Sequence, residues 1–201
     1  MSITTHDLQA AVSRIQAGIA SVGAELNELD GKLGDGDLGV TLINGFKNIS
    51  DASDDSPEDF GMALFTCAKL MTQVSGSSFG TLMATALMAA GKQVKGSSQI
   101  EAAQIPDLLQ AAQDAMIARG GASLDDKTLL DSMHAIISSL REGVEAGGML
   151  ENAETAATQA LNDMRDKPNK IGRARIFGDK TIGMDDPGMV AILRLITLMR
   201  S

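Results

Sequence analysis

Between Leu8 and Leu29, apolar residues recur at Leu8, Val12, Ile15, Ile19, Val22, Leu26 and Leu29, in alternating steps of four and three. That spacing holds one apolar stripe on one face of a helix for several turns. A strand cannot satisfy it, because every second side chain there turns to the opposite face. The chain is therefore committed to a long amphipathic first helix, opened by the capping-box spacing of Thr4 and Asp7 and ending at Asp30.

Seven further segments carry helical patterns. Residues 40–49 predict a second helix with its first turn at Leu38-Gly39-Val40-Thr41. A third carries Phe60, Leu64, Cys67, Met71 and Val74, with Ser56 as cap, Pro57 in the first turn and Glu58 and Asp59 as early acids. Leu82, Ala86, Leu87 and Ala90 mark the fourth. Ile105-Pro106-Asp107 starts the fifth, with Leu108, Leu109, Ala112 and Met116 inward, and Arg119-Gly120-Gly121 stops it. Leu129, Met133, Ile136, Ile137, Leu140 and Val144 mark a sixth over 128–144, ended by Gly147-Gly148. An Ala-rich seventh over 150–165, with Leu161 and Met164 inward, closes at Lys167-Pro168. The last, 187–199, opens at Asp185-Asp186-Pro187-Gly188 with proline in its first position. Residues 97–104 are polar and expected at the surface. The count is eight helices with no convincing strand, an all-α chain.

Length and composition bound what this chain can do. Its 201 residues fit one domain spanning 1–201. At 44% hydrophobic with 2% aromatic and 12 Met, its core is aliphatic and methionine-rich. A net charge of -9 excludes the basic footprint of a nonspecific nucleic-acid binder. The single cysteine, Cys67, cannot form an intrachain disulfide and reads as a small buried hydrophobe. With no basic-then-apolar leader and no apolar run of about 18 residues, the expected location is the cytoplasm and not a membrane.

Chemistry concentrates in Leu29-Asp30-Gly31-Lys32-Leu33-Gly34-Asp35-Gly36-Asp37-Leu38-Gly39. Asp35 and Asp37, separated by Gly36, can face one point, and Asp30 can reach back from the end of the first helix. Clustered carboxylates repel unless a cation joins them. Oxygen-only ligands suit magnesium, which completes its shell with waters and phosphate oxygens. The same residues also suit a solvated Asp/Gly turn, so spacing alone leaves both readings open. The backbone N–H groups of the following helix would face the cluster, a good place for phosphate. Ser75-Gly76-Ser77-Ser78-Phe79-Gly80 reads as a close-approach loop or a plain helix connection. The aperiodic 169–186 holds Lys170, Arg173, Arg175 and Lys180, which suit either an anionic ligand or ordinary surface charge. His6 is expected at the surface and His134 lies off the apolar stripe.

Leu29-Asp30, Gly34-Asp35-Gly36-Asp37-x-Gly39 and Gly45-Phe46 are followed by Arg119-Gly120 with Asp126-Lys127-Thr128, then Gly172-Arg173-Ala174, then Ile182-Gly183 with Asp186-Pro187-Gly188. In that order, and almost end to end, these resemble the L subunit of dihydroxyacetone kinase, also found as the nucleotide-binding domain of single-chain dihydroxyacetone kinases. The resemblance implies an eight-helix antiparallel up-and-down barrel with ATP or ADP at one end. It implies that Asp30, Asp35 and Asp37 hold two Mg2+ ions on the nucleotide phosphates, and that Leu38, Gly39, Val40 and Thr41 supply backbone donors. Ser78 and Phe79 fall where the family touches nucleotide, Gly120 and Leu129 where it lines the base pocket, and Arg173, Asp186, Pro187 and Gly188 where it closes over the ligand.

The implied function is that of a phosphotransferase subunit passing a phosphoryl group to dihydroxyacetone or a similar small ketose on a separate K-type subunit. The donor is ATP, or ADP rephosphorylated in place by a phosphohistidine carrier of the sugar phosphotransferase system. In the family a histidine of the K subunit holds the triose covalently. Neither His6 nor His134 lies in a matched motif, so no catalytic side chain is assigned to this chain. A regulatory nucleotide-binding module with the same fold is the alternative, and a homodimer is compatible with either. The chain departs from the family at Leu38 and Met184, where many members have His, and at Phe79, where the family is often small.

Overall fold

The computed structural model describes residues 1–74, 78–143 and 148–201. Ser75, Gly76 and Ser77 of the small-residue connection, and Val144 and Gly147 at the end of the sixth helix, lie outside the described residues. Within these limits there are eight α-helices: α1 (Thr5–Leu33), α2 (Leu38–Asp51), α3 (Phe60–Thr72), α4 (Ser78–Val94), α5 (Ile105–Gly120), α6 (Leu129–Glu142), α7 (Met149–Arg165) and α8 (Pro187–Arg200). Each packs on the next, and α8 returns to α1, which closes the ring. Short connections make consecutive neighbours antiparallel. The one long connection, 166–186, still delivers α8 beside the end of α7, because the Gly183 N–H donates to the Arg165 carbonyl at 2.8 Å.

This alternation decides where function can sit. The connections after α1, α3, α5 and α7 all fall at one end of the barrel, and they carry the sequence motifs singled out above. The interior is aliphatic, with Ile19, Leu26, Leu42, Met71, Ala157 and Met189 fully buried. Small residues let the helices approach: Ala153, Ala157 and Ala160 of α7 are all buried. Among the described residues no helix is long and apolar enough to cross a membrane.

Several boundaries differ from the sequence reading. The first helix does not end at Asp30 but runs one turn further to Leu33, so Asp30 sits on a formed helix. Two short strands exist: β1 (Ser2–Thr4) pairs antiparallel with β2 (Gln99–Glu101), Ile3 opposite Ile100. Residues 97–104 are accordingly not all exposed, since Ile100 is buried in a cluster with Phe60, Leu64, Val94 and Leu108. The cap of α3 is Asp59, not Ser56. Its carboxylate accepts from the Met62 N–H at 2.8 Å and from the Gly96 N–H at 2.7 Å, so one side chain satisfies the helix start and a donor across the fold. Asp186 caps α8 with Pro187 in the first turn, as the sequence indicates.

Candidate functional site

Asp30, in the last turn of α1, organises the loop that follows it. The Gly34 N–H returns to its carbonyl at 2.5 Å, and its Oδ2 accepts from the Asp37 N–H at 3.0 Å and the Leu38 N–H at 3.3 Å. Gly36, at φ 76°, makes the left-handed turn between the other two aspartates, where a side chain would be strained. The result brings ligand atoms of Asp30, Asp35 and Asp37 within 4.8 Å of one another. Asp37 is the N-cap residue of α2 yet makes no side-chain cap bond, and its carboxylate belongs to this cluster.

The first turn of α2 is satisfied from within. Asn27 Oδ1 accepts from the Gly39 N–H at 2.8 Å and the Val40 N–H at 3.2 Å, and the Thr41 N–H donates to the Asp37 carbonyl at 2.9 Å. With Leu38 bound to Asp30, all four N–H groups expected to face phosphate already have protein partners. Gly39, Val40 and Thr41 are not part of the cleft wall described next. Gly39 instead serves helix packing, since a Cβ there would lie 2.1 Å from the Gly23 carbonyl oxygen.

A cleft of about 490 Å³ opens at this end of the barrel. Asp30, Asp35, Asp37 and Leu38 form one side, and Ser78 and Phe79 at the start of α4 form another. Gly120, Leu129, Arg173, Asp186, Pro187 and Gly188 complete the sequence-predicted residues that line it. Leu82 and Met116 add apolar wall. Arg173 crosses the cleft mouth and forms an ion pair with Asp35, both side chains about half exposed. Of the four basic residues in 169–186, Arg173 alone lines the cleft; Lys170, Arg175 and Lys180 are exposed to solvent elsewhere. Phe79 and Leu38 are both buried in the main core as well as lining the cleft, so they fill space behind it.

The far wall rests on a buried polar network. Asp186 Oδ1 accepts from the Met189 N–H at 3.0 Å and Oδ2 from Asn169 Nδ2 at 2.8 Å. Burial nevertheless dominates and pushes its carboxyl up to about 6, against these stabilising bonds. Lys127 is completely buried, and its loss of water lowers its affinity for the proton. Cys67, as expected, is buried, and burial raises its thiol to about 11, which leaves it unreactive near neutral pH. His6 and His134 are both exposed and outside the cleft.

Sequence reasoning missed Asn27, Asn169, and the structural role of Lys127. Asn27 was findable: it precedes Asp30 by three, so both project from one face of α1. Asn169 and Lys127 act through tertiary contacts, and Lys127 adopts φ 60°, which nothing in its residue type announces.

An all-α barrel with an acidic, half-apolar cleft at one end is the class that fold and site define. The chain belongs to the DAK2 domain family, whose model matches residues 32–201. It is 31% identical over 169 residues to the PTS-dependent dihydroxyacetone kinase, ADP-binding subunit DhaL, of Lactococcus lactis, covering 82% of this chain and 80% of that one. It is 25% identical over 179 residues to the PEP-dependent dihydroxyacetone kinase, ADP-binding subunit DhaL, of Escherichia coli, covering 87% and 85%. It is 27% identical over 196 residues to the L-erythrulose 1-kinase of Mycolicibacterium smegmatis, covering 95% of this chain but 34% of that protein. The chain thus spans about a third of the length of the erythrulose kinase. The fold is shared with the crystal structure of the dihydroxyacetone kinase from C. freundii in complex with AMP-PNP and Mg2+, at TM-score 0.73 and 24% identity, over 94% of this chain and 32% of that one.

Proposed function

We propose that this chain is the nucleotide-carrying subunit of a ketose kinase. It holds ATP or ADP with two Mg2+ ions and passes a phosphoryl group to dihydroxyacetone or a similar small ketose on a separate K-type subunit. The observation that carries this reading is the convergence of three carboxylates at the mouth of an apolar cleft, with Arg173 ion-paired to one of them. The donor set fits magnesium: it offers only oxygens, and the remaining coordination positions are left to water and phosphate. Magnesium bound there neutralises phosphate charge, which is the main demand of phosphoryl transfer.

The chain's own residues divide the rest of the work. Asp30 holds the loop with one oxygen through two backbone N–H groups and keeps the other for metal. Arg173, a cation already at Asp35, is placed to accompany phosphate oxygens over the cleft mouth. Leu82, Met116 and Leu129 give the base an apolar wall beside the open backbone of Gly120, and Asp186, Pro187 and Gly188 form the edge nearest the start of α8. The names of the L. lactis and E. coli relatives, ADP-binding subunits of PTS- and PEP-dependent kinases, support ADP as the resident nucleotide. They also support a phosphohistidine carrier as the phosphoryl source.

Asp35→Asn and Asp37→Asn test the reading. Each removes a charged oxygen from a shared site, so calorimetry is expected to show magnesium and ADP affinity falling together, each by about tenfold or more, equivalent to 1.4 kcal/mol. Loss of ADP affinity with magnesium affinity unchanged would contradict the shared site.

A further inference from the structure

Among the described residues Lys127 is the largest fully buried side chain, and it carries a charge. Its Nζ donates to three backbone carbonyls, those of Arg165 at 3.1 Å, Lys167 at 2.8 Å and Thr181 at 2.9 Å. An ammonium has three donors, and all three are used. Two of the carbonyls stand where the chain leaves α7, and the third stands where it comes back toward α8. One side chain therefore gathers both ends of the intervening segment, which carries Gly172, Arg173 and Ala174 into the cleft wall. The closure is reinforced by the Asn169 N–H, which donates to Thr181 Oγ1 at 2.8 Å.

The same residue governs the cleft edge through its backbone. Asn169 Nδ2 donates to the Lys127 carbonyl at 2.8 Å and to Asp186 Oδ2 at 2.8 Å. Lys127 achieves this at φ 60°, a left-handed conformation that a lysine rarely takes. Such an outlier persists where surrounding structure holds it in place, and here the residue is tied at both its ammonium and its backbone carbonyl.

We infer that Lys127 is a positioning residue for the nucleotide: its buried ammonium clips shut the segment that presents Arg173 and, through Asn169, fixes Asp186 at the cleft edge. This rests on the reading of the cleft as a nucleotide site. Lys127 reaches the Asp30/Asp35/Asp37 loop by way of the Arg173–Asp35 ion pair, so any effect on Mg2+ alone runs through that pair.

The test is a double-mutant cycle on ADP affinity in magnesium buffer, using Lys127→Met, Arg173→Ala and both together, with Mg2+ affinity of each measured without nucleotide. Lys127→Met is expected to weaken ADP binding at least about tenfold, and in the Arg173→Ala background, where no guanidinium remains to pair with Asp35, to leave the affinity for Mg2+ alone within about twofold. In the Arg173→Ala background the same change should cost less than about threefold, because residues that act through one another are not additive. A purely structural role would give additive losses, and that result overturns the inference while leaving the nucleotide reading intact. Failure of the unsubstituted chain to bind ADP would overturn both. Should Lys127→Met not fold, Lys127→Gln keeps two donors without the charge and is expected to show the same non-additivity at smaller amplitude. Full additivity there would equally overturn the assignment.

Discussion

Asp186 shows how one side chain can serve both stability and site. Burial disfavours the charged form and pushes its carboxyl up to about 6 in the folded chain, against 3.8 for the free side chain. The folded-state value is raised, so the stabilisation it contributes is complete below pH 3.8 and is lost as pH rises through about 6. That difference corresponds to about 3 kcal/mol. Thermal unfolding without metal or nucleotide should therefore show stability falling between pH 4 and 7 by an amount that Asp186→Asn largely removes. The variant's absolute stability also reflects its altered bond to Asn169, so the slope is the readout. An unchanged slope in Asp186→Asn would place the titration elsewhere. The residue type and its capping position before Pro187 were legible in the sequence. Its burial was not, because that depends on Asn169 and Lys127 arriving from other segments.

Among the helices, the sequence was most informative where one apolar face met one core. The stripe of α1 is buried as its spacing indicates, at Val12, Ile15, Ile19 and Leu26. Termini were less legible, because caps compete. Asp59 displaces Ser56 by finding a second donor in Gly96, a contact made across the fold. Asn27, from α1, supplies the acceptor that α2 lacks on its own N-cap. The two short strands escaped because three residues each carry too little pattern to distinguish them from a coil. The α1–α2 crossing also depends on Gly39, which the family pattern had placed at the phosphates. Gly39→Ala would push a methyl to 2.1 Å from the Gly23 carbonyl and 2.8 Å from Asn27 Oδ1. It should destabilise the protein by about 1 to 3 kcal/mol or more, the range for overpacking, as read by urea unfolding. A change below about 0.5 kcal/mol would mean that α1 and α2 separate freely, contrary to the packing described.

At the scale of the whole molecule, the alternating up-and-down path explains why a short list of motifs scattered from Asp30 to Gly188 meets in one place. Four connections share an end of the barrel, and the cleft lies among them. The ordered motifs made that convergence legible. The division of labour between Arg173 and the other three basic residues of its segment was not, since only the folded path shows which one reaches the cleft. The chain presents no histidine in the cleft wall, and its two histidines are exposed. Purified alone it should phosphorylate dihydroxyacetone negligibly, and addition of a cognate K-type subunit should restore turnover in a coupled assay. Robust turnover by the single chain would refute the two-subunit reading.

The central claim is that carboxylates and metal together make the nucleotide site, and titration of ADP into the protein by calorimetry tests it most directly, once in excess Mg2+ and once in EDTA. Three clustered carboxylates without a cation repel phosphate, so affinity in EDTA should be weaker by more than about tenfold, or 1.4 kcal/mol. Equal affinity in the two buffers would contradict the account.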